Sequence, residues 1–372
     1  MILSRTPFRL SFFGGGTDYP AWYRREGGAV LSTTIDKYCY LSVRHLPPFF
    51  TTRHRVVWSH VETVGTIAEI LHPAVREGLR MLGYDDALGI EIHHQADLPA
   101  RAGMGSSSSF AVGLIKALTG LGGQMIGKHE LALRAIELEQ DVLRENVGSQ
   151  DQVAAAYGGF NLIEFRKSGE IRVDPVTAPA ARLADLERHL LLFYTGTSRF
   201  ASAVAADMLA NLDARREALL RMRAMVDEAL AILTGSGSLD AFGRLLHESW
   251  MLKRSLSPMI SGPTIDDLYT KAMRHGALGG KLLGAGSSGF MCFFVPPQKQ
   301  TAVIRALAGH LHVPFAFEDE GSRVIHYAAT SAAPSQTRRE LAGRKPRAPR
   351  AERATAPAGT PVSSLQIAGK IA

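Results

Sequence analysis

The sequence predicts an α+β fold with two domains. Its 372 residues are enough to form two hydrophobic cores. In the first half, short strand-like segments are interleaved with helical segments, whereas the second half is mostly helical and ends in strand-like segments. An apolar content of 46% and a charged content of 21% are typical of globular proteins, which excludes collagen, coiled coils and a chain disordered throughout.

The first half runs from Ile2 to about Phe165. Glycine and proline bound three apolar or alternating segments, which predict strands at residues 8–13, 38–43 and 89–94. Apolar residues at spacings of four, three and four predict one helix over 129–145, with a buried face formed by Leu131, Ala135, Leu138 and Val142.

The second half begins after a polar connection that contains proline, near residues 167–186. A strand is predicted at 190–194, followed by helices at about 199–233, 239–254 and 264–276 and by a strand pair at 290–295 and 324–328. We therefore expect one domain at 1–170 and a second at 187–330. Residues 331–372 hold five prolines and show no hydrophobic period, so we expect a disordered basic tail rich in proline and alanine.

The net charge of +7 does not indicate a nucleic-acid-binding protein. The tail carries eight Lys or Arg residues and two acidic residues, a net of +6, which leaves the folded body near neutrality. Nucleic acid is therefore not expected as a partner of the body, although the role of the tail stays open. No zinc hydrolase is indicated either, because no His-x-x-x-His pair has an acidic neighbour.

The cysteine content and the hydropathy favour a cytoplasmic location without membrane attachment. Cys39 and Cys292 are too few for a disulfide framework, and we expect both to be buried. No apolar run approaches the roughly 18–20 residues that span a bilayer. The sequence leaves open whether the protein is a monomer or a homodimer.

A loop at residues 97–109 predicts a phosphate-binding site. A strand leads into this loop, which contains Pro99, Gly103 and Gly105, and four serines then open an apolar helix (Ser106, Ser107, Ser108 and Ser109). The glycines allow a ligand to approach the backbone, and the free amides at the start of the helix point toward anionic oxygens. The alternative is a serine-capped helix after a flexible loop. No Lys-Ser/Thr pair follows Gly105, so this is not a Walker A loop.

Two further glycine clusters lie near the two ends of the folded body. Residues 284–289 match G-x-G-x-x-G, but a strand-like segment follows them, which excludes a dinucleotide-binding loop. Residues 14–18 end a strand and present Asp18, whose carboxylate can accept hydrogen bonds from sugar hydroxyls or can cap the following segment.

The three glycine-rich segments, in this order, resemble the three motifs of the GHMP kinases (galacto-, homoserine, mevalonate and phosphomevalonate kinases). They cover residues 6–19, 99–109 and 281–289. The resemblance implies the GHMP kinase fold, with an N-terminal domain like ribosomal protein S5 domain 2 and a ferredoxin-like C-terminal domain. It also implies an ATP-dependent kinase of a small molecule, with Mg²⁺ as the second cofactor.

Other segments narrow the resemblance to one branch of the family. Galactokinases carry Glu-His where this chain has Gly15 and Gly16. Ala-Ala-Ala-Tyr-Gly-Gly-Phe-Asn at 154–161 and Leu-Leu-His-Glu-Ser-Trp at 245–250 resemble the branch that phosphorylates the anomeric hydroxyl of a seven-carbon sugar phosphate. L-fucose kinases are the nearest competitor, and a non-catalytic sugar-phosphate-binding protein is an alternative of a different class.

The resemblance also implies roles for individual residues. Asp151 matches the catalytic aspartate, which takes or orients the proton of the acceptor hydroxyl. Arg9 matches the basic residue of the first motif, which would keep Asp151 ionised and stabilise the charge of the transition state. Glu139 matches the metal-ligating glutamate, and Ser107 is its expected companion at Mg²⁺. Glu137 and Asp141 are close rivals of Glu139, and Ser106 or Ser108 could replace Ser107.

The acceptor sugar phosphate is expected at the first and third motifs. The candidate residues are Gly15, Gly16, Thr17, Asp18, Gly286 and Ser287. A phosphate on the substrate adds about two negative charges, so a cation must meet it. Arg199 and Lys253 are the preferred candidates, with Lys37 and Arg254 as alternatives.

Overall fold

The computed structural model describes residues 1–47, 49–50, 52–100, 102–196, 201–286 and 288–328. The strands are β1 (Ile2–Phe13), β2 (Gly28–His45), β3 (His54–Val57), β4 (Val61–Val64), β5 (Ile90–Ala96), β6 (Asn161–Phe165), β7 (Ile171–Pro175), β8 (Leu190–Tyr194), β9 (Gly279–Leu282), β10 (Phe290–Phe294), β11 (Leu311–His312), β12 (Phe317–Glu318) and β13 (Arg323–Tyr327). The α-helices are α1 (Pro20–Glu26), α2 (Pro73–Met81), α3 (Ser106–Leu121), α4 (Lys128–Ile136), α5 (Gln150–Tyr157), α6 (Ala180–Arg188), α7 (Ala201–Ala210), α8 (Arg216–Thr234), α9 (Asp240–Ser255), α10 (Pro263–Arg274) and α11 (Pro297–Ala306). A 3₁₀ turn covers Ile67–Glu69, and a π-helical turn covers Glu137–Val142.

The first sheet is built around the long strands β1 and β2. Its order is β13-β1-β2-β5-β3-β4, while β6 and β12 also pair with β2 and β7 pairs with β6. The pairing is antiparallel except between β3 and β5, which are parallel. Helix α3 packs on β1 and β2. This arrangement places the loop that precedes α3 beside Arg9 of β1.

The second sheet has the order β11-β8-β10-β9 and is antiparallel throughout. The strands therefore follow the 4-1-3-2 order of a ferredoxin-like unit, with helices between the first two strands and between the last two. Helix α9 packs on β9 and also reaches β1, which brings the second unit against the first. The α+β prediction is confirmed.

One predicted strand pairing is wrong. The strand predicted at 324–328 exists as β13, but it pairs with β1 and not with the strand at 290–295. The short strand β12 likewise pairs with β2. The chain thus returns to the first sheet after the second unit, because β1 has a free edge that β13 covers. The domain limits at 170, 187 and 330 stay predictions, and residues 331–372 lie outside the described residues.

Two predicted helices are interrupted. The helix expected over 129–145 becomes α4 followed by the π-helical turn, and the helix expected over 199–233 becomes α7 and α8. The wider π turn rotates the face of the helix, so Leu138 is fully buried while Val142 is 39% exposed. Cys39 and Cys292 are both free and buried, as predicted. No helix among the described residues has the length and apolarity needed to cross a membrane.

Candidate active site

The loop before α3 is fixed by contacts with β1. Gly105 precedes the helix with φ +75°, and Gly103 has φ +76°, so both adopt the left-handed conformation that favours glycine. The Arg9 guanidinium donates to the Gly103 carbonyl at 2.6 Å. The first amides of α3 have no acceptor within the helix, so its N-terminus can bind an anionic oxygen.

The third glycine cluster packs directly on this loop. A Cβ atom at Gly103 would lie 2.4 Å from the Leu283 carbonyl oxygen, and one at Gly284 would lie 2.5 Å from the Gly103 Cα atom. A Cβ atom at Gly289 would lie 2.2 Å from the Ala102 carbonyl oxygen. These approaches leave no room for any side chain. The third cluster therefore packs the second unit against the loop that precedes α3.

Arg9 and Asp151 form a bidentate ion pair beside the same loop. Arg9 Nε donates to Asp151 Oδ1 at 2.7 Å, and Arg9 Nη2 donates to Asp151 Oδ2 at 2.7 Å. The Arg9 side chain is 4% exposed and the Asp151 side chain is 23% exposed. A Cβ atom at Gly105 would lie 3.4 Å from Asp151 Oδ2, so the carboxylate lies next to the start of α3. The pair thus holds a partly accessible carboxylate at the end of the loop that precedes α3.

The Asp18 side chain is buried and lies close to the Asp151 carboxylate. Asp18 Oδ1 accepts from the backbone N–H of Gly16 at 2.9 Å, and Oδ2 accepts from the backbone N–H of Gln150 at 3.4 Å. Gln150 in turn accepts from the Ser11 hydroxyl at 2.7 Å. Burial, and then the charge of Asp151, raise the pKa of Asp18. Asp18 and Asp151 are therefore neighbouring carboxyl groups, joined through the first residues of α5.

The other residues predicted at the acceptor site have diverse positions. Gly15 and Gly16 are partly exposed beside Asp18. Thr17 is fully buried, and its hydroxyl donates to the Gly14 and Ala29 carbonyls, so it stabilises the turn and offers no face to a sugar. Gly286 has φ +126° and packs on Ile260. Arg199 and Ser287 lie outside the described residues.

The serines at the start of α3 divide between two directions. Ser107 and Ser108 donate to the Glu139 carboxylate at 2.6 and 2.7 Å. Ser109 is buried and donates to the Pro7 carbonyl, which anchors the helix to β1. Ser106 is half-buried, whereas Pro99 is exposed in the approach to the loop. Only part of the serine run thus faces away from the protein interior.

Glu139 is a buried carboxyl group in the π-helical turn. It is 1% exposed, and Gln152 Nε2 donates to it at 2.5 Å in addition to the two serines. Burial raises its pKa to about 7, against the opposing effect of these three hydrogen bonds. The Gln152 Oε1 atom is buried and has no hydrogen-bond partner. Two unusual features therefore meet here, an acid that ionises with difficulty and an unsatisfied carbonyl oxygen.

These oxygens fit a magnesium ion that is held mainly by phosphates. Mg²⁺ takes one or two protein oxygens and completes its shell with phosphates and waters. Glu139 and the exposed Ser107 hydroxyl supply such a pair at the start of α3. Among the described residues, no group of three or more His, Cys, Asp or Glu side chains could hold a metal ion, so a protein-only metal site is not found there. The rivals of Glu139 are less suited, because Glu137 faces Arg134 and Asp141 is exposed.

We expect Glu139→Gln to stabilise the metal-free protein at pH 8. A carboxyl whose pKa is raised on folding stabilises the fold below pH 4.5, and this contribution is lost as the pH rises through about 7. The loss is on the order of 3 kcal/mol for such a shift. The amide of the variant carries no charge, and Gln152 can turn its own amide to accept a hydrogen bond from it. Thermal unfolding in EDTA should therefore show a higher Tm for the variant at pH 8 and a smaller difference at pH 5.

Glu137→Gln, in the same turn, is the matched control. Glu137 is partly exposed and faces Arg134, so its substitution should not reproduce the pH-dependent gain. If Glu139→Gln raised the Tm equally at pH 5 and pH 8, ionisation of Glu139 would not be the cause of the lower stability at pH 8.

Two lysines from the second unit also reach the site. Lys253 Nζ donates to the Leu282 and Gly284 carbonyls at 2.8 and 2.5 Å. Lys281 Nζ donates to the Phe12 carbonyl of β1 at 2.8 Å. Lys253 is predicted from the sequence as a substrate residue, and the structure places it on the third glycine cluster. Sequence reasoning missed Lys281, although a lysine inside an apolar strand is a usable signal.

Comparison with known proteins identifies matches over both units. The GHMP kinases N terminal domain family matches residues 67–159, and the GHMP kinases C terminal family matches residues 208–312. The D-glycero-alpha-D-manno-heptose 7-phosphate kinase of Campylobacter jejuni is 30% identical over 332 residues, which cover 86% of this chain and 97% of that protein. The bifunctional fucokinase/GDP-fucose pyrophosphorylase of Arabidopsis thaliana is 25% identical over 80% of this chain and 30% of its own length.

A solved structure extends this similarity to the fold. The crystal structure of a D-glycero-D-manno-heptose 1-phosphate kinase from Bacteriodes thetaiotaomicron has 25% sequence identity and a TM-score of 0.72. The alignment covers 88% of this chain and all of that one. The two heptose relatives are thus similar to this chain over both units.

Proposed function

The chain belongs to the GHMP kinase family and is an ATP-dependent sugar kinase, and from this premise we propose that its acceptor is D-glycero-D-manno-heptose 7-phosphate. The product is the 1,7-bisphosphate, formed by phosphorylation of the anomeric C1 hydroxyl. This reaction belongs to the synthesis of nucleotide-activated heptose for surface polysaccharide. Support for the acceptor comes from the 30% identity to a heptose 7-phosphate kinase over nearly its whole length.

The observation that carries the proposed chemistry is the bidentate Arg9–Asp151 pair. Phosphoryl transfer needs an oriented nucleophile and stabilised charge on the transferred group. Asp151 accepts the hydrogen bond of the C1 hydroxyl and receives its proton as the oxygen attacks the γ-phosphorus atom. Arg9 fixes the orientation of this carboxylate and contributes positive charge to the transition state.

ATP is proposed to bind with its phosphates at the N-terminus of α3. Gly103 and Gly105 allow the close approach, and the amides of the serine run receive the phosphate oxygens. Ser107 and Glu139 are the residues that would hold Mg²⁺. When bound, Mg²⁺ neutralises charge on the β- and γ-phosphates. The leaving group is ADP, and the proton of the acceptor ends on Asp151.

The sugar is proposed to bind between Asp18 and Asp151. Asp18 can accept a hydrogen bond from a sugar hydroxyl, and the partly exposed turn at Gly15 and Gly16 allows the ring to approach. Lys253 and Arg199 stay the proposed cations for the 7-phosphate. A cytoplasmic location is part of the proposal, because ATP and sugar phosphates are available there.

The names of the relatives define the competing acceptors. One heptose relative is named for the 7-phosphate, the solved structure is named for the 1-phosphate, and the plant relative has fucokinase activity in its name. We expect the kcat/KM for heptose 7-phosphate to be about 100-fold or more above that for L-fucose, galactose or mevalonate. These three acceptors carry no phosphate, so the cations that would bind the 7-phosphate stay unpaired when they bind. A coupled assay of ADP release measures all four. If L-fucose were the only acceptor turned over, the proposed acceptor would be wrong, but the protein would still be a sugar kinase.

A further inference from the structure

Lys253 and Lys281 form a pair of amines at the junction of the two units. Lys253 lies in the last turn of α9 and Lys281 in β9, and both reach the region of Arg9. Among the residues that the structure describes, neither makes a salt bridge with a carboxylate. Their hydrogen bonds go to backbone carbonyls alone, at Leu282, Gly284 and Phe12. Two potential cations therefore share one site without a dedicated counter-ion.

The number of acceptors around Lys253 matches its neutral form. A neutral amine has two N–H groups, and Lys253 has two carbonyl acceptors. A third N–H, present only in the ammonium form, finds no further acceptor among the described residues. Lys281 has one carbonyl acceptor and is 4% exposed. Protonation of either lysine thus adds a donor that only a ligand or water can satisfy.

Burial and the neighbouring cations oppose protonation of the pair, whereas the nearby carboxyl groups favour it. Burial lowers the pKa of Lys253 well below its ordinary value, and Lys281 and Arg9 add to this effect, while Asp151 opposes it. Burial lowers the pKa of Lys281 to about 7, with a further contribution from Arg9 and opposition from Cys292 and Asp18. Arg254, next to Lys253, is engaged by Asp266. Because Arg9 is paired with Asp151, an arriving phosphate would add negative charge beside the two lysines, and this charge favours their protonated form.

We propose that Lys253 and Lys281 form a proton-linked phosphate site, neutral in the free protein and protonated when a phosphate group enters the cleft beside Arg9. The ligand class is a dianionic phosphate, either the γ-phosphate of ATP or the phosphate of the sugar. The proton comes from bulk water or buffer, and its positive charge pairs with the phosphate oxygen that accepts the new N–H. The inference rests on the proposed function only in requiring phosphoryl groups at this site.

Lysine suits this role better than arginine. A guanidinium stays charged in a protein, and three permanent cations at one buried site would repel one another in the free state. Lysine changes its protonation state readily when buried. The free site thus avoids the repulsion, while the occupied site gains charge where negative charge has arrived. Lys281 also connects β9 to β1 through its hydrogen bond to the Phe12 carbonyl, and β1 is the strand that carries Arg9.

Calorimetric titration in buffers of different ionisation enthalpy measures the protons taken up on binding. We would titrate the protein at pH 8 with Mg²⁺·AMPPNP and, in a separate arm, with heptose 7-phosphate, in Tris and in HEPES. At pH 8 the phosphate groups are fully ionised and Glu139, with its pKa of about 7, is mostly so. We expect uptake of about one proton or more in at least one arm, and the arm identifies the source of the phosphate.

Variants locate the protons. Lys253→Met and Lys281→Met should each reduce the uptake by up to about one proton, whereas Lys271→Met, at an exposed residue that pairs with Asp267, should leave it unchanged. If Lys281→Met does not fold, Lys253→Met and the unmodified protein still provide the test. Absence of uptake in both arms, or equal uptake in both lysine variants and the wild type, would overturn the proposal. Failure of heptose 7-phosphate to bind affects the proposed acceptor only, because the nucleotide arm still reports on the lysines.

Discussion

Asp151→Asn is expected to lower kcat by about 10²- to 10⁴-fold while nucleotide binding is retained. The substitution keeps the shape of the side chain but removes the group that accepts the proton of the sugar hydroxyl. It also replaces one half of the bidentate pair with Arg9 by an amide that donates where a carboxylate accepts. Release of ADP under saturating substrates gives kcat, and titration with Mg²⁺·AMPPNP gives the Kd of the nucleotide.

Asp174→Asn is a suitable control for this experiment. Asp174 lies in β7, where it pairs with Arg172, so its substitution should change neither quantity. A kcat for Asp151→Asn within about threefold of the wild type would remove Asp151 from the proposed role. A loss of nucleotide binding equal to the loss of turnover would indicate a structural effect of the substitution.

Arg9→Lys is expected to lower kcat by about 10²- to 10³-fold. Arg9 makes three hydrogen bonds in different directions, two to Asp151 and one to the Gly103 carbonyl. A lysine keeps the charge but cannot reproduce the planar fork, so either the carboxylate or the phosphate-binding loop loses its support. The KM for ATP should rise as well, since the loop that holds Gly103 is part of the proposed nucleotide site.

Arg5→Lys provides the matched control on the same strand. Arg5 is partly exposed, and its ion pairs go to Glu318 and Glu320. We expect its kcat and KM to stay within about twofold of the wild type, because the ion pairs of Arg5 go to Glu318 and Glu320 and not to Asp151. If Arg9→Lys behaved like Arg5→Lys, the fork geometry would have no part in turnover.

Patterns that are local in the sequence predicted the part of the site that is built from loops. The close approach allowed at Gly103 and Gly105 and the start of α3 at the serine run follow from steric and capping rules that act over a few residues. The direct contact of Arg9 with Asp151 spans most of the first unit, and it was expected only because the motifs resemble a known family. Residue types alone would have left both side chains with ordinary surface or capping roles.

Features that depend on long-range packing were not predictable from the same patterns. The alternation around residue 325 indicates a strand, but it cannot identify β1 as the partner. The spacing of apolar residues in 129–145 suits an α-helix, whereas Glu139 lies in a π turn and its carboxylate is bonded by side chains of α3 and α5. Lys281 and Gln152 matter through neighbours that are distant in the sequence, so local patterns give little to distinguish them from ordinary polar residues.

The site concentrates buried ionisable groups, which explains why its residues differ from those of an ordinary core. Asp18, Glu139 and Lys281 are each nearly inaccessible, and burial shifts the pKa of each toward the neutral form. Such shifts cluster at functional sites because charge that is costly in the free protein is stabilised when ligands bring the opposite charge. The pH profile of nucleotide affinity should therefore differ from that of fold stability.

The position of the new phosphate on the sugar is the most direct test of the proposed reaction. Purified protein is incubated with ATP, Mg²⁺ and D-glycero-D-manno-heptose 7-phosphate, and the product is examined by phosphorus and proton nuclear magnetic resonance. We expect a second phosphate ester whose phosphorus is coupled to the anomeric proton, together with one ADP per sugar, and no such product with Asp151→Asn on the same time scale. A new ester at any other carbon, or no consumption of ATP with any sugar, would contradict the proposed reaction.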